Sequence, residues 1–425
     1  MTGSVAVVGG GAAGLMAALA AARGLGPGRV AVYERGPRVG KKLAATGNGR
    51  CNLTNLGARP DHYLGSAADA VAAALDRFPP GAVLRVFDEI GVTAAVELGG
   101  RVYPMSGQAS SVVDALRLAL AERGVAEVVD FDVASVRRAG GAFSLRGRDG
   151  REARADRVIL ACGSPAAPGL GGSDAGLALA KSLGHAVRPP LPALCPLRTD
   201  EAPIRALKGI RVDGRATLYI GGRAAASASG EVLFAEYGLS GPAIFDLSRP
   251  AAAALAEGAA AQVALAILPG GEDAVRSLLR ARRAALSGRA LENFLTGMVN
   301  KRLGQVLVKL AADGEAGALA RPASSLTDWQ LSTLARLLTG WRLAVEGTRG
   351  FEAAQVAAGG VIGGELDPAT LQSRAMPGLY LAGEMIDVDA GCGGYNLQWA
   401  WASGLLAGGA CAASLAGDGR GGDGA

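Results

Sequence analysis

Gly9, Gly11, Gly14 and Glu34 have the types and spacing of a dinucleotide site. The glycines form G-x-G-x-x-G directly after the apolar run Ser4–Val8 and before the helical stretch Leu15–Arg23. In such a turn Gly9 permits the sharp bend, Gly11 lets backbone approach a pyrophosphate, and Gly14 lets helix pack closely on strand. The helix amino terminus then faces the phosphates. Glu34 follows a second strand-like run, Val30–Tyr33, where a carboxylate can bond an adenosine ribose hydroxyl. An acid at that position favours an unphosphorylated ribose, hence FAD or NAD over NADP.

A second glycine-rich stretch has the residues to hold a redox ring. Gly383 and Glu384 end one strand-like piece; Gly393, Gly394, Asn396 and Gln398 precede a helical run through Ala407. Glu384 would accept a bond from a ribityl hydroxyl, and Gly393 and Gly394 would let backbone approach an isoalloxazine ring. The amino terminus of the following helix would favour the anionic reduced ring. The same spacing also fits a plain strand, loop and packing helix. Gly40–Asn55 is polar, glycine-rich and aperiodic, which predicts a loop. Within it Lys41 and Lys42 offer an anion contact or a solvated surface pair. Cys51 beside Arg50 is either an activated thiolate or a small buried residue, and we take the latter. A simple nicotinamide dehydrogenase would place a catalytic acid or base in its substrate domain. The middle of this chain has no histidine, which favours flavin over nicotinamide as the resident cofactor.

Positioning these groups requires an α/β fold. The unit of strand, turn, helix and strand at 4–33 implies a parallel sheet. Helices are expected at Ala67–Phe78, Val83–Ile90 and Ser110–Arg123, and strands at Val125–Asp132, Phe143–Arg146 and Arg157–Ala161. From about 186 prolines mark a boundary, and short strand-like pieces follow at Arg215–Ile220, Arg223–Ala226, Glu231–Phe234 and Gln262–Leu268. They suggest a small barrel or β-layer. Helical patterns occupy Glu272–Leu286, Leu291–Ala311 and Leu326–Leu338, after which strand character returns. The expected division is 1–187 and 341–413 for a cofactor domain, 188–270 for a barrel, 271–340 for a helical domain and 414–425 for a disordered tail.

The 425 residues are half hydrophobic, with 19% charged and a net charge of +5, an ordinary globular balance. Five cysteines without a CxxC pair, and two histidines, at 62 and 185, argue against a zinc or iron–sulfur site; no metal is expected. The same cysteine usage fits reduced thiols and a cytoplasmic protein. Val5–Ala22 is apolar, but no basic residue precedes it and glycines interrupt it. Export is not expected, and no other stretch is expected to span a bilayer.

The motifs also carry a resemblance. The chain resembles the BaiN-like (YhiN-like) family of bacterial NAD(P)/FAD-dependent flavoprotein oxidoreductases. The matching segments are 9–14, Ala45–Asn55, Gly100–Pro104 with Gln108 and Ala109, Leu160–Pro165, Gly238–Ala243, Gly359–Val361, Gly383–Asp389 and Gly393–Asn396. The resemblance implies a Rossmann-like FAD-binding domain split by an inserted β-barrel plus helical domain. It also implies FAD contacts at Gly9, Gly11, Ala13, Gly14, Glu34, Lys41, Lys42, Thr46, Gly47, Asn48, Val133, Ala161, Cys162, Gly163, Gly383, Glu384, Asn396 and Gln398. Relatives often carry Gly or Thr at the Cys162 position, and a small residue is expected where Cys392 stands; both read as size-matched substitutions.

The chemistry implied is hydride transfer from flavin to a small organic substrate, with an enone as the analogy and NAD(P)H as a transient donor. Tyr395, Tyr103, Arg101 and Tyr237 are the candidate proton donors. Two alternatives stand beside this: a flavoprotein acting on RNA, and a flavin-binding protein without turnover. Against nucleic acid, the basic residues are scattered and lack aromatic interleaving, with Arg280, Arg282 and Arg283 the one short cluster.

Overall fold

The computed structural model describes residues 3–200 and 202–418. They form two compact units, one from the two ends of the chain and the other Pro192–Gln355.

The first unit is built on a five-stranded parallel sheet. Its strands are β1 (Val5–Val8), β2 (Val30–Tyr33), β3 (Ala126–Val128), β4 (Arg157–Leu160) and β5 (Leu379–Leu381), in the order β5-β4-β1-β2-β3. All four residues of β1 are buried, as a central parallel strand covered on both faces requires. The last strand comes from the far end of the sequence: Val158, Ile159 and Leu160 lie in register with Leu379, Tyr380 and Leu381. A three-stranded antiparallel sheet, Val133–Ala139, Ala142–Gly147 and Glu152–Ala155, precedes β4. Only its middle strand shows in the sequence pattern, because the outer two bury few side chains and carry exposed Arg137, Arg138, Glu152 and Arg154.

Helix α1 (Ala12–Leu25) packs against α3 (Tyr395–Asp418), and the contact is close because small residues line it. A Cβ on Gly404 would lie 2.6 Å from the Ala13 carbonyl oxygen, and one on Gly408 would lie 2.2 Å from that of Ala17. By length and composition alone, residues 395–417 of α3 are apolar enough to cross a bilayer. Their apolar side chains are used inside the protein instead: Trp399, Trp401, Ala402, Leu405, Leu406 and Cys411 are buried in the core. The helix also continues through 414–418, where a disordered tail was expected; residues 419–425 of that tail lie outside the described residues. The expected loop at 40–55 contains helix α2 (Lys41–Gly49), anchored by the buried Leu43. Its polar composition hid a helix that breaks at Thr46–Asn48, where Gly47 and Asn48 take left-handed conformations.

In the second unit, six strands close into a barrel in the order Leu197–Thr199, Gly238–Ser240, Arg223–Ala235, Arg211–Ile220, Ala261–Ala266 and Trp341–Thr348. The expected boundary at 341 is corrected: Trp341–Thr348 pairs with both Ala261–Ala266 and Leu197–Thr199, so it belongs to the barrel. The expected barrel and helical domains share one core, in which Leu218 and Val263 of the strands join Leu307 and Leu334 of the helices. The pattern at Leu291–Ala311 divides into a 3₁₀ turn, Leu291–Asn293, and a helix, Lys301–Ala311. Gly297 with positive φ lies between them, and the Asn300 side chain caps the helix by accepting from the Arg302 and Leu303 N–H groups.

Candidate cofactor site

The glycine turn is fixed by backbone crowding at two positions and left open at the third. A Cβ on Gly9, with φ of 108°, would meet the Ala161 carbonyl oxygen at 2.4 Å. One on Gly14 would meet the Gly9 carbonyl oxygen at 1.9 Å. Gly11 has nothing within 4 Å of that position and caps the amino terminus of α1, whose first turn carries no acid. An open helix terminus without a competing carboxylate suits a pyrophosphate.

Glu34 is held on both sides. Its Oε2 accepts from the Gly10 N–H and its Oε1 from the Gly36 N–H, each at 2.8 Å. Two backbone donors hold the carboxylate in place while lone pairs remain for ribose hydroxyls. Beside it lies a cavity of about 60 Å³ lined by Val8, Gly9, Tyr33, Phe131, Val133 and Cys162 among others. Val133 and Ala161 are buried, and Gly163 has positive φ with open space around it. The Cys162 N–H donates to Met385 Sδ at 3.1 Å. Burial pushes the Cys162 and Cys51 thiols up to about 12, so neither is an activated thiolate.

Residues far apart in sequence meet here. A Cβ on Gly383 would lie 2.6 Å from Ala13 Cβ, which brings the second glycine stretch against the first. Lys42 and Glu384, expected to make separate cofactor contacts, bond each other: Nζ to Oε2 at 2.9 Å. The other Glu384 oxygen accepts from the Ala357 N–H. Lys41, Gly47 and Asn48 are exposed on α2, and the Thr46 hydroxyl donates to the Leu43 carbonyl.

Three residues expected at the carboxy-terminal end of the site also have protein partners. Gly394 is required by protein packing: a Cβ there would lie 2.7 Å from Thr54 backbone. Asn396 spends its side-chain amide on Ala390, accepting from its N–H at 3.0 Å and donating to its carbonyl at 2.7 Å. Gln398 is fully buried; it accepts from the Thr54 hydroxyl at 2.7 Å and donates to the Phe78 carbonyl at 2.8 Å. Asn396 and Gln398 therefore position the segment instead of reaching outward.

Of the candidate proton donors, Tyr237 belongs to the second unit and lies under Arg349. Tyr103 lies under the Arg50 guanidinium, 4.2 Å from it, and near Gly47; Arg101 is exposed. Tyr395 curls over Gly393, whose Cβ would lie 3.0 Å from its ring edge. Sequence reasoning missed its neighbours. Tyr63–Gly65 pairs antiparallel with Val388–Ala390, which sets the Tyr63 hydroxyl on the Tyr395 carbonyl and the His62 ring 4.6 Å from the Tyr395 ring.

Comparison with known proteins agrees over almost the whole chain. The family model described as the HI0933-like protein Rossmann domain matches residues 3–410. The chain is 39% identical over 409 residues to a 3-dehydro-bile acid delta(4,6)-reductase of Clostridium scindens, covering 96% of this chain and 98% of the relative. It is 30% identical over 401 residues to a ribosomal RNA dihydrouridine synthase of Escherichia coli, covering 93% and 95%. Among solved structures it resembles a 3-ketosteroid delta1-dehydrogenase of Sterolibacterium denitrificans, with a TM-score of 0.51 at 15% identity over 97% of this chain and 99% of that one. At that identity the likeness concerns the fold.

Proposed function

The chain belongs to the HI0933-like Rossmann-domain family, and from that membership we propose that it reduces the activated carbon–carbon double bond of an enone. It is an FAD-dependent oxidoreductase acting on a small organic substrate. FAD supplies two-electron hydride chemistry when bound. The observation that carries the placement is the open terminus of α1 at Gly11 beside the fixed Glu34 carboxylate. Gly9, Gly11 and Gly14 would hold the pyrophosphate and Glu34 the ribose, with the adenosine end beside Val133, Ala161, Cys162 and Gly163. Lys42 and Glu384, bonded to each other next to Ala13 and Gly383, would face the ribityl chain. Lys41, Thr46, Gly47 and Asn48 would close that side, and Gly393 and Gly394 would stand at the ring end. The enone reading is supported by the 39% identity to a bile-acid reductase. Reading 192–355 as a barrel and helical insertion in a Rossmann-like FAD fold is supported by β5, which rejoins the sheet after it. We place the protein in the cytoplasm and take NAD(P)H as the hydride donor.

Purified protein should be yellow and release FAD on denaturation. Anaerobic mixing with NADH and with NADPH should reduce the flavin, and an enone should reoxidise it. Release of FMN, or no flavin binding after FAD is added, would remove the cofactor placement; a reduced flavin inert to enones would remove the substrate class.

A second reading, an RNA substrate, is favoured by one surface. A cleft of about 1170 Å³ in the second unit is lined by exposed Arg215, Arg336 and Arg342, with the Arg342 guanidinium 4.2 Å from the Tyr219 ring. Guanidinium and aromatic groups together suit single-stranded nucleic acid. Asp213 and Glu272 in the same lining weigh against it. Salt-dependent binding of ribosomal RNA, lost in Arg342→Ala, would decide for this reading.

A further inference from the structure

Reduction of an enone places negative charge on the carbonyl oxygen, and a preorganised donor aimed at that oxygen accelerates the step. We propose that His62 is this donor, through its Nε2–H. The inference rests on the enone reading and on the flavin ring lying at Gly393–Gly394.

The structure selects His62 on several counts. The chain has two histidines, and the His185 side chain is fully buried beside Glu365. His62 is half-buried, and its ring packs at a tilt of 42° against that of Tyr395, which covers Gly393. Its Nδ1 accepts from the Arg59 N–H at 3.3 Å. A neutral imidazole with Nδ1 accepting carries its proton on Nε2, which makes that nitrogen a donor. The pairing of Tyr63–Gly65 with Val388–Ala390 fixes the turn that holds the histidine. Two neighbouring groups are committed elsewhere. The Tyr63 hydroxyl donates to the Tyr395 carbonyl, and the Cys51 thiol is buried. The charged groups nearest the ring in sequence, Arg59 and Asp61, pair with each other at 3.4 Å.

In the step itself, the β-carbon of the enone receives hydride from reduced flavin, which is oxidised by two electrons. The carbon–carbon π pair moves toward the carbonyl oxygen, giving an enolate hydrogen-bonded to Nε2–H. Water then protonates the α-carbon, and the product is the saturated ketone. His62 keeps its proton throughout.

The test uses photoreduced holoenzyme mixed anaerobically with 4-androstene-3,17-dione as the probe enone. His62→Phe keeps an aromatic ring on Tyr395 and removes the donor. It should bind FAD with an unchanged visible spectrum and slow flavin reoxidation by roughly 100- to 1000-fold, the usual effect of losing one such donor. His62→Gln, which retains an N–H, should recover much of the rate. Independently of turnover, infrared difference spectra of the probe on oxidised holoenzyme should show its carbonyl stretch lowered in wild type and not in His62→Phe. Equal reoxidation rates and equal carbonyl stretches in wild type and His62→Phe would overturn the assignment. So would a loss in Tyr395→Phe with none in His62→Phe, which would give the role to the Tyr395 phenol. A wild-type flavin that stays reduced with the enone would instead remove the enone reading, and the role of His62 with it.

Discussion

Glu34 does two jobs with one carboxylate. It satisfies the Gly10 and Gly36 N–H groups and, on our reading, binds the ribose. Glu34→Ala should weaken FAD binding by about 1–3 kcal/mol, the loss expected when charge-assisted bonds are removed. Titration of apoprotein with FAD, followed by flavin fluorescence, measures it; an unchanged dissociation constant would show that the carboxylate faces no ligand. The cysteines make a second residue-scale case. Burial pushes the Cys51, Cys162 and Cys411 thiols up from 9.0 to about 12. They should resist a thiol reagent in native protein at pH 8 and react once it is unfolded. The sign of the linked stability follows. A neutral thiol is favoured in the folded state, so its contribution is complete below pH 9.0 and lost as pH rises toward about 12. Denaturant midpoints measured between pH 8 and 10.5 should therefore fall as pH rises.

Helices α1 and α3 join the two cofactor-binding stretches as one rigid piece. Gly408 lies under the Ala17 carbonyl and Gly404 under that of Ala13, so no side chain fits between the helices. Gly408→Val should cost about 1–3 kcal/mol of stability through overpacking, read as a lower urea midpoint with an unchanged slope. FAD affinity should fall with it, because Ala13 and Gly383 are in contact at the turn. A variant with wild-type stability would show that the helices can separate without cost. The same crowding reinterprets Gly394. A bulky residue there strikes Thr54 backbone, so a change at that position reports on packing before it reports on the flavin ring.

Every residue of the candidate FAD site lies in the unit formed by the two chain ends. The segments that enter and leave the other unit run side by side, with the Gln355 N–H donating to the Leu194 carbonyl at 3.2 Å. Replacing residues 195–354 by a short glycine–serine linker should therefore leave a protein that still binds FAD. Loss of enone reduction with FAD retained would assign the substrate to the excised unit. Loss of FAD from a folded excised protein would show that the site extends beyond the residues named.

The sequence alone determined the glycine turn, its flanking strands and helix, and the acid at the end of β2. Their chemistry is local: each task depends on spacing within about thirty residues and on conformations that glycine permits. Family motifs extended that reading along the chain. What only the tertiary structure decided is which distant groups meet. Lys42 and Glu384 look like two independent ligand contacts until folding pairs them, and Gln398 looks available until its amide is found between Thr54 and Phe78. His62 carries no local signal because a three-residue strand pairing far along the chain brings it to Tyr395. Helix α3 reads as apolar enough for a membrane because hydropathy counts side chains and not their partners. The close approach of α1, permitted by Gly404 and Gly408, gives those side chains a protein core instead.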